Sequence, residues 1–219
     1  MSKQPLTVEI YSDVVCPWCY VGKRRLERAL DQLKGTVKPE LSWRPFQLNP
    51  TMPREGIDRT TYLEAKFGSL DAFQRLEEHV LAAGIAERIS FAFEKIERAP
   101  NTFLAHRLVW FAGQQGCQDA VVESLFRGYF EEGADIGSLP VLARLADRSG
   151  LSAEQFLGSN DGVTEVKAEE AVGHRLGIRG VPYFILNNAY ALSGAQPSER
   201  FVEAFKKVEA DEAARKAGV

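Results

Sequence analysis

The first apolar residues of the chain alternate with polar ones, and the period then changes. Leu6, Val8 and Ile10 occupy every second position, which is typical of a strand with one buried face. From residue 17 the apolar residues recur every three or four positions, which predicts an amphipathic helix that Gly35 ends. Alternation returns over residues 38–48 as a second strand. Strand, helix and strand in this order predict a βαβ unit with parallel strands.

A long helical stretch separates this unit from the next strand pattern. Over residues 51–160 nearly every periodic run has helical spacing. Two strand patterns follow at 183–186 and 190–192, joined by an Asn-Asn turn, and a last helix starts near Pro197. This order predicts an α/β thioredoxin-like fold with an inserted all-helical domain. The thioredoxin-like domain is predicted over residues 1–50 and 161–219, and the helical insertion domain over residues 51–160.

The junction between the first strand and the first helix carries Cys16-Pro17-Trp18-Cys19. Pro17 suits the first helical position, because its ring fixes φ and its missing N–H leaves no donor unpaired. Cys16 then lies at or near the N-cap, where free backbone N–H groups and the helix dipole favour a thiolate. Residues three apart are neighbours on a helix, so Cys16 and Cys19 can form a disulfide with little backbone movement. We expect Cys16 to be the exposed attacking thiol and Cys19 the resolving thiol beneath it.

A Cys-x-x-Cys pair is also half of many structural zinc sites. Zinc needs two further ligands, and the candidates are scattered singly along the chain. They are Cys117, His79, His106 and His174. The strand-pair-helix setting favours redox chemistry over metal binding, and no metal or other bound cofactor is predicted. Cys117 has no cysteine neighbour in the sequence and is interpreted as a free thiol or a small core residue.

Composition narrows the class of protein. A formal net charge of -3 gives no electrostatic basis for binding nucleic acid or an anionic membrane. The sequence has no apolar run long enough to span a bilayer, and residues 1–5 lead into the first strand without the apolar segment of a secretory signal. Three cysteines in 219 residues exclude a disulfide scaffold. We therefore expect a cytoplasmic protein.

Val181-Pro182 stands at the mouth of the third predicted strand. A proline here can adopt the cis form, and its missing N–H leaves the backbone groups of Val181 free to pair outside the sheet. In a thioredoxin-like fold this loop lies against the cysteine pair. We therefore expect a cis Pro182 and a substrate strand that binds Val181 beside Cys16. The alternative is an ordinary trans proline at the start of an edge strand.

Four segments carry a family resemblance that covers nearly the whole chain. They are residues 13–22 around the cysteine pair, Pro100-Asn101-Thr102 with Ala105-His106-Arg107 in the helical region, residues 177–184, and Ser193-Gly194-Ala195-Gln196. Together they resemble the DsbA family, in particular its FrnE-type cytoplasmic oxidoreductases. The resemblance implies a thioredoxin fold with a helical lid, a nucleophilic Cys16, a resolving Cys19 and a cis Pro182.

A sister group, the kappa-class glutathione transferases and hydroxychromene-carboxylate isomerases, is similar in architecture but places serine at the position of Cys16. Both cysteines are present in this chain, which favours thiol-disulfide exchange over glutathione-assisted isomerisation. If glutathione or a peptide binds, the resemblance implies backbone pairing with Val181 and Pro182. It also implies contacts of Ser193 and Gly194 with a glutamyl carboxylate, although Ser193 is equally well interpreted as a turn residue.

Further candidates flank the cysteine pair or begin a helix of the insertion. Trp18, with Pro17 beside it, controls access to the pair or supplies contact area for an apolar substrate. Asn101 and His106 are candidates for a polar lid, but five positions apart they do not share a helix face, and a structural role for His106 is favoured. Asp13 either accepts a proton near the pair or, in the favoured interpretation, caps the turn before the helix.

The sequence thus favours a thiol-disulfide oxidoreductase. Its expected partners are a substrate protein or glutathione as a co-substrate, and we expect it to bind neither nucleic acid nor a membrane. We expect a monomer or a homodimer. The first alternative is a glutathione-dependent isomerase or transferase that acts on a small aromatic or electrophilic substrate. The second is a redox-inert binding module whose cysteine pair takes up metal. The Pro-Trp dipeptide does not fix the direction of electron flow.

Overall fold

The computed structural model describes residues 6–34 and 39–216. Three predictions lie outside these ranges: the helix end at Gly35, the start of the second strand at residue 38, and the absence of a secretory signal in residues 1–5. Within the ranges, no helix combines the length and the apolar character needed to cross a membrane.

The N-terminal part of the chain folds as a βαβ unit. β1 (Leu6–Ser12) and β2 (Pro39–Pro45) are parallel, and α1 (Pro17–Gln32) crosses between them. Every second residue at the start of β1, namely Leu6, Val8 and Ile10, is buried, so the alternation in the sequence reports a face turned to the core. The predicted order of these elements is confirmed.

The central part of the chain is helical apart from one short ladder. β3 (Ile57–Asp58) and β4 (Arg98–Ala99) pair antiparallel, and a single 3-10 turn, Phe93–Lys95, precedes β4. Seven helices of the described chain lie between β2 and the next strand of the main sheet. They are α2 (Arg59–Phe67), α3 (Leu70–Ala86), α4 (Phe103–Gln114), α5 (Gln118–Phe130), α6 (Leu139–Asp147), α7 (Glu154–Gly158) and α8 (Val163–Arg175). Of these, α4, α5 and α8 pack against β2, so the helical part lies directly on the sheet.

The chain then returns to the sheet. β5 (Tyr183–Leu186) is antiparallel to β1, and β6 (Tyr190–Ser193) is antiparallel to β5, which gives the sheet order β2-β1-β5-β6. The predicted hairpin turns at Asn187 and Asn188, whose φ angles of 46° and 54° are those that a two-residue hairpin of this hand needs. α9 (Ser198–Lys216) packs on α1 and ends the described chain.

One hydrophobic core runs through both parts of the protein. Tyr20 of α1 is fully buried and stacks on Phe126 of α5, with ring centroids 5.0 Å apart. Trp43 of β2 meets the same phenylalanine ring at an interplanar angle of 70°. Both cysteines of the pair belong to this buried cluster. The α/β fold with a helical insertion is confirmed, whereas the domain boundaries near residues 50 and 160 stay a prediction.

Candidate active site

The Cys-x-x-Cys motif begins helix α1. Cys16 is the N-cap residue and Pro17 is the first helical residue, as the sequence predicted. The backbone N–H of Cys16 donates to the carbonyl oxygen of Asp13 at 3.0 Å, which closes the turn before the helix. No side chain makes a capping hydrogen bond at this helix end, so Cys16 lies at an uncapped N-terminus where the helix dipole favours negative charge.

Both thiols of the motif are buried, so the expectation of an exposed Cys16 was wrong, but only Cys16 borders a cavity. Cys16 is 5% exposed and lines a cavity, whereas Cys19 is 1% exposed and is not among the lining residues of that cavity. Both cysteines are unbonded, and their side chains are in hydrogen-bond contact. Burial, and then the neighbouring Cys16 thiol, raises the pKa of the Cys19 thiol well above its ordinary value. The Ser12 side chain and the Asp13 N–H face the Cys19 sulfur and offset only part of this shift.

The loop that precedes β5 lies against the cysteine pair. The Sγ atom of Cys16 donates to the carbonyl oxygen of Val181 at 3.6 Å. The Val181–Pro182 peptide bond is cis. The carbonyl oxygen of Pro182 accepts from the N–H of Gly194 at 2.8 Å, which ties the loop to the end of β6. The structure therefore brings Cys16, Val181, Pro182 and Gly194 into one site.

Gly22 of α1 is a member of this site that sequence reasoning missed. A Cβ atom at this buried glycine would lie 3.0 Å from Cγ of Pro182 and 3.2 Å from Cζ of Phe184. The absence of a side chain therefore lets α1 approach the proline loop closely. A glycine inside a helix three residues after the second cysteine was the available signal, since glycine is disfavoured there without a packing reason.

A cavity of about 610 Å³ opens beside Cys16. Pro17 and Trp18 line it next to the cysteine, and Trp18 is 36% exposed. The rest of the wall comes mainly from apolar side chains of the helical part. They include Met52, Tyr62, Leu63, Phe73, Val80 and Phe93. The insertion thus supplies most of a pocket whose reactive group comes from the sheet domain, and its size is in the range of small-molecule sites.

Three further predicted residues occupy different surroundings. The Asn101 side chain donates to the Met52 carbonyl at 2.7 Å and accepts from the Phe103 N–H at 2.9 Å, so it fixes the start of α4. His106 is buried inside α4. Neither Asn101 nor His106 is among the residues that line the cavity. Ser193 is exposed at the end of β6, next to Gly194.

A small polar cluster lies behind the cysteine pair. Asp13 and His106 are both buried, with Oδ1 and Nε2 3.3 Å apart, and the other oxygen of Asp13 accepts from the Leu48 N–H at 2.7 Å. The Asp13 side chain therefore binds the chain after β2, and its carbonyl rather than its carboxylate closes the turn before α1. Among the described residues, only Ser12 Oγ, Asp13 Oδ1 and His106 Nε2 are fully buried side-chain atoms without a hydrogen bond of good geometry. All three belong to this one cluster.

Cys117 lies apart from the motif. It is half-buried at the start of α5 and packs against the hydrophobic core. Across residues 6–34 and 39–216, no three His, Cys, Asp or Glu side chains lie together as the ligands of a metal ion would.

These features place the chain in the class of thioredoxin-fold thiol-disulfide redox proteins. They are the thioredoxin-like sheet, the helical insertion and the Cys-x-x-Cys pair that lies against a proline loop. The chain belongs to the DSBA-like thioredoxin domain family, whose model matches residues 7–206. This confirms the resemblance to the DsbA family and the general prediction of a thiol-disulfide redox enzyme. Its place in the FrnE-type branch stays a prediction.

Solved structures agree with this assignment. A probable DsbA oxidoreductase from Streptomyces coelicolor is 35% identical, with a TM-score of 0.84 over 92% of this chain and 89% of that one. Two others share the fold at 16% identity. A 2-hydroxychromene-2-carboxylate isomerase has a TM-score of 0.71 over 95% of this chain and 98% of its own. The cytosolic disulfide reductase DsbM from Pseudomonas aeruginosa, solved with GSH, has a TM-score of 0.61 over 96% and 99%.

Proposed function

We propose that this protein catalyses thiol-disulfide exchange through Cys16 and Cys19. The Cys16 thiolate attacks one sulfur of a substrate disulfide, a mixed disulfide forms, and the other substrate sulfur leaves as a thiolate. Cys19, as thiolate, then attacks the Cys16 sulfur and releases the second substrate thiolate. Two electrons pass to the substrate and the pair becomes a disulfide. In the reverse direction the same steps oxidise a dithiol, and neither direction needs a bound cofactor.

The observation that carries the proposal is the difference in position between the two sulfurs. Cys16 lines the cavity at the start of α1, and Cys19 lies buried behind it in contact with it. A substrate sulfur that enters the cavity meets Cys16 first. Because burial raises the pKa of Cys19, the Cys19 thiol holds its proton more tightly than an exposed thiol does, which suits Cys16 for the first attack.

We further propose roles for the residues around the attacking sulfur. The carbonyl group of Val181, already in contact with Cys16, is suited to pair with an extended substrate backbone, with Pro182 holding the loop. Pro17 and Trp18 supply apolar contact area. Ser193 and Gly194 lie next to this loop and are candidates to hold the glutamyl carboxylate of glutathione, which DsbM was solved with. Asn101 already has both of its amide atoms in hydrogen bonds and is not assigned to substrate.

The buried thiol also needs a route for its proton. The Ser12 side chain and the backbone N–H of Asp13 face the Cys19 sulfur, and Oδ1 of Asp13 lies 3.3 Å from Nε2 of His106. Unpaired buried polar groups are costly and rare in native proteins, and a proton-transfer role is one reason to keep them. We propose that Asp13 and His106 accept the proton of Cys19 during the second step, by way of Ser12 or of a water molecule.

Trapping tests the assignment of the two roles. All variants carry Cys117→Ser, so that the third thiol cannot react. We expect Cys19→Ser to accumulate a mixed disulfide at Cys16 with a disulfide-bonded peptide or with oxidised glutathione, detected by intact mass. Cys16→Ser should accumulate none. Equal trapping by both variants would contradict the assigned roles, and no trapping by either would contradict thiol-disulfide exchange.

The alternative function is glutathione-dependent isomerisation. The shared fold of the 2-hydroxychromene-2-carboxylate isomerase and the apolar cavity favour it. In that reaction the sulfur of glutathione carries the chemistry, so isomerase activity that survives in Cys16→Ser would support this alternative. For either function we propose a cytoplasmic location, like that of the cytosolic reductase DsbM, because glutathione is abundant there. Fractionation of cells that express the full chain tests the location.

A further inference from the structure

The cavity beside Cys16 contains one mostly buried cation, Arg59. Arg59 is the first residue of α2, its side chain is 14% exposed, and it lines the cavity wall. Its guanidinium carbon lies 5.7 Å from the ring centroid of Phe73 and 5.5 Å from that of Phe93. The guanidinium therefore lies within cation–π distance of two aromatic rings of the cavity wall.

The guanidinium of Arg59 has an incomplete set of partners. Its ion-pair contact is Glu77, whose Oε1 lies 3.6 Å from an Arg59 nitrogen, beyond hydrogen-bond distance. Among the described residues, no acceptor makes a hydrogen bond to this guanidinium. Burial lowers the pKa of Arg59, although Tyr129, Glu77 and Glu94 act against this shift. Burial also raises the pKa of the Glu77 carboxyl despite the nearby Arg59, so the two groups do not compensate each other fully.

The balance of charge in the cavity is positive. Lys66 also lines it, with its Nζ 2.6 Å from the Tyr62 hydroxyl. Against these groups stands the single carboxylate of Glu77 among the lining residues. A planar guanidinium with free donors matches a carboxylate, which accepts two parallel hydrogen bonds from it. Apolar walls with one converging charged group are typical of sites for small amphiphilic molecules.

We propose that this cavity binds a small, largely apolar disulfide that carries a carboxylate, with the carboxylate on Arg59 and a sulfur at Cys16. The inference rests on the proposed function and names a substrate class for it. The Cys16 thiolate attacks one sulfur of the ligand and expels the other half as a thiolate. Cys19 then displaces the bound half. One ligand disulfide is reduced to two thiols while the cysteine pair is oxidised.

A sulfur-free pair of probes tests the binding site without redox chemistry. 2-Naphthoate and 2-naphthamide have the same apolar body and differ in charge. In calorimetry on the reduced wild-type protein, we expect naphthoate to bind at least about tenfold more tightly than naphthamide. Hydrogen bonds between charged groups contribute enough free energy for an affinity difference of this size. We expect the two probes to bind equally in Arg59→Met. The preference for naphthoate should persist in the control Arg75→Met, because the Arg75 side chain is exposed on α3 and does not line the cavity. Bound naphthoate should also slow alkylation of Cys16.

The comparison of naphthoate with naphthamide on the wild-type protein tests the site even if Arg59→Met folds poorly. Equal binding of the two probes, a preference that survives in a folded Arg59→Met, or unchanged alkylation of Cys16 would overturn the inference. A redox counterpart uses 5,5′-dithiobis(2-nitrobenzoate) against the neutral 2,2′-dithiodipyridine. The ratio of their reaction rates with Cys16 should fall about tenfold in Arg59→Met.

The two proposals can fail separately. Charge-dependent naphthoate binding without any mixed disulfide in Cys19→Ser would retain the ligand site and reject thiol-disulfide exchange. Mixed disulfides with a peptide, together with equal naphthoate and naphthamide binding, would retain exchange and reject the anionic small-molecule site in favour of a protein substrate.

Discussion

Gly22→Ala probes the contact between helix α1 and the proline loop. The new Cβ would lie 3.0 Å from Cγ of Pro182 and 3.2 Å from Cζ of Phe184, whereas carbon atoms pack best at about 3.5–4.0 Å. Neither neighbour is free to move away. Pro182 is held by its bond to Gly194, and the buried Phe184 packs edge-on against Phe201 with ring centroids 4.8 Å apart.

The magnitude follows from two opposing effects. Overpacking of this kind costs about 1–3 kcal/mol. Replacing glycine by alanine inside a helix returns about 0.5–1 kcal/mol. We therefore expect the free energy of unfolding to fall by about 1 kcal/mol. Because Val181 contacts Cys16 at 3.6 Å through the same loop, we also expect mixed-disulfide formation to slow several-fold.

Urea denaturation of the reduced protein measures the stability, and mixed-disulfide formation in a Cys19→Ser background measures the rate. Gly158→Ala is the matched control, because an added Cβ at this helical glycine meets open space. It should be as stable as the wild type or slightly more stable, with an unchanged rate. If Gly22→Ala behaved like Gly158→Ala in both measurements, the close approach of α1 would not position the loop.

Two further predictions concern the buried thiol and its polar neighbours. Burial raises the pKa of Cys19 in the folded protein, so above about pH 8.5 the unfolded chain loses the Cys19 proton while the folded protein still holds it. Above this pH the free energy of unfolding of the reduced protein should therefore fall by up to about 1.4 kcal/mol per pH unit. Urea titrations from pH 8 to 10 should find this contribution absent in Cys19→Ser, and identical slopes would contradict the raised pKa. Asp13→Asn keeps an oxygen for the Leu48 N–H and removes the charge facing His106. In stopped-flow assays it should slow the second exchange step by about 100-fold and the first step far less, whereas equal slowing of both would argue for a structural role.

The local sequence pattern determined the elements and the reactive motif. Alternation in β1, helical spacing in α1 and the Asn-Asn turn depend on neighbouring residues alone, and each appears where predicted. The position of the cysteine pair at a helix start also depends on neighbouring residues alone. Pro17 marks the first turn, and because the two cysteines are three residues apart their thiols are neighbours on the helix.

Only the tertiary structure decided what surrounds the motif. Three features join positions that are far apart in the chain: the contact of Gly22 with Pro182, the approach of Asp13 to His106, and the place of Arg59 in the cavity. A hydrophobic period reports which face of an element is buried, but not which other element covers that face. Asp13 illustrates the limit. Its sequence position suggested that it caps the turn before α1, whereas in the structure its carboxylate accepts from the Leu48 N–H, after β2, and faces His106 of α4.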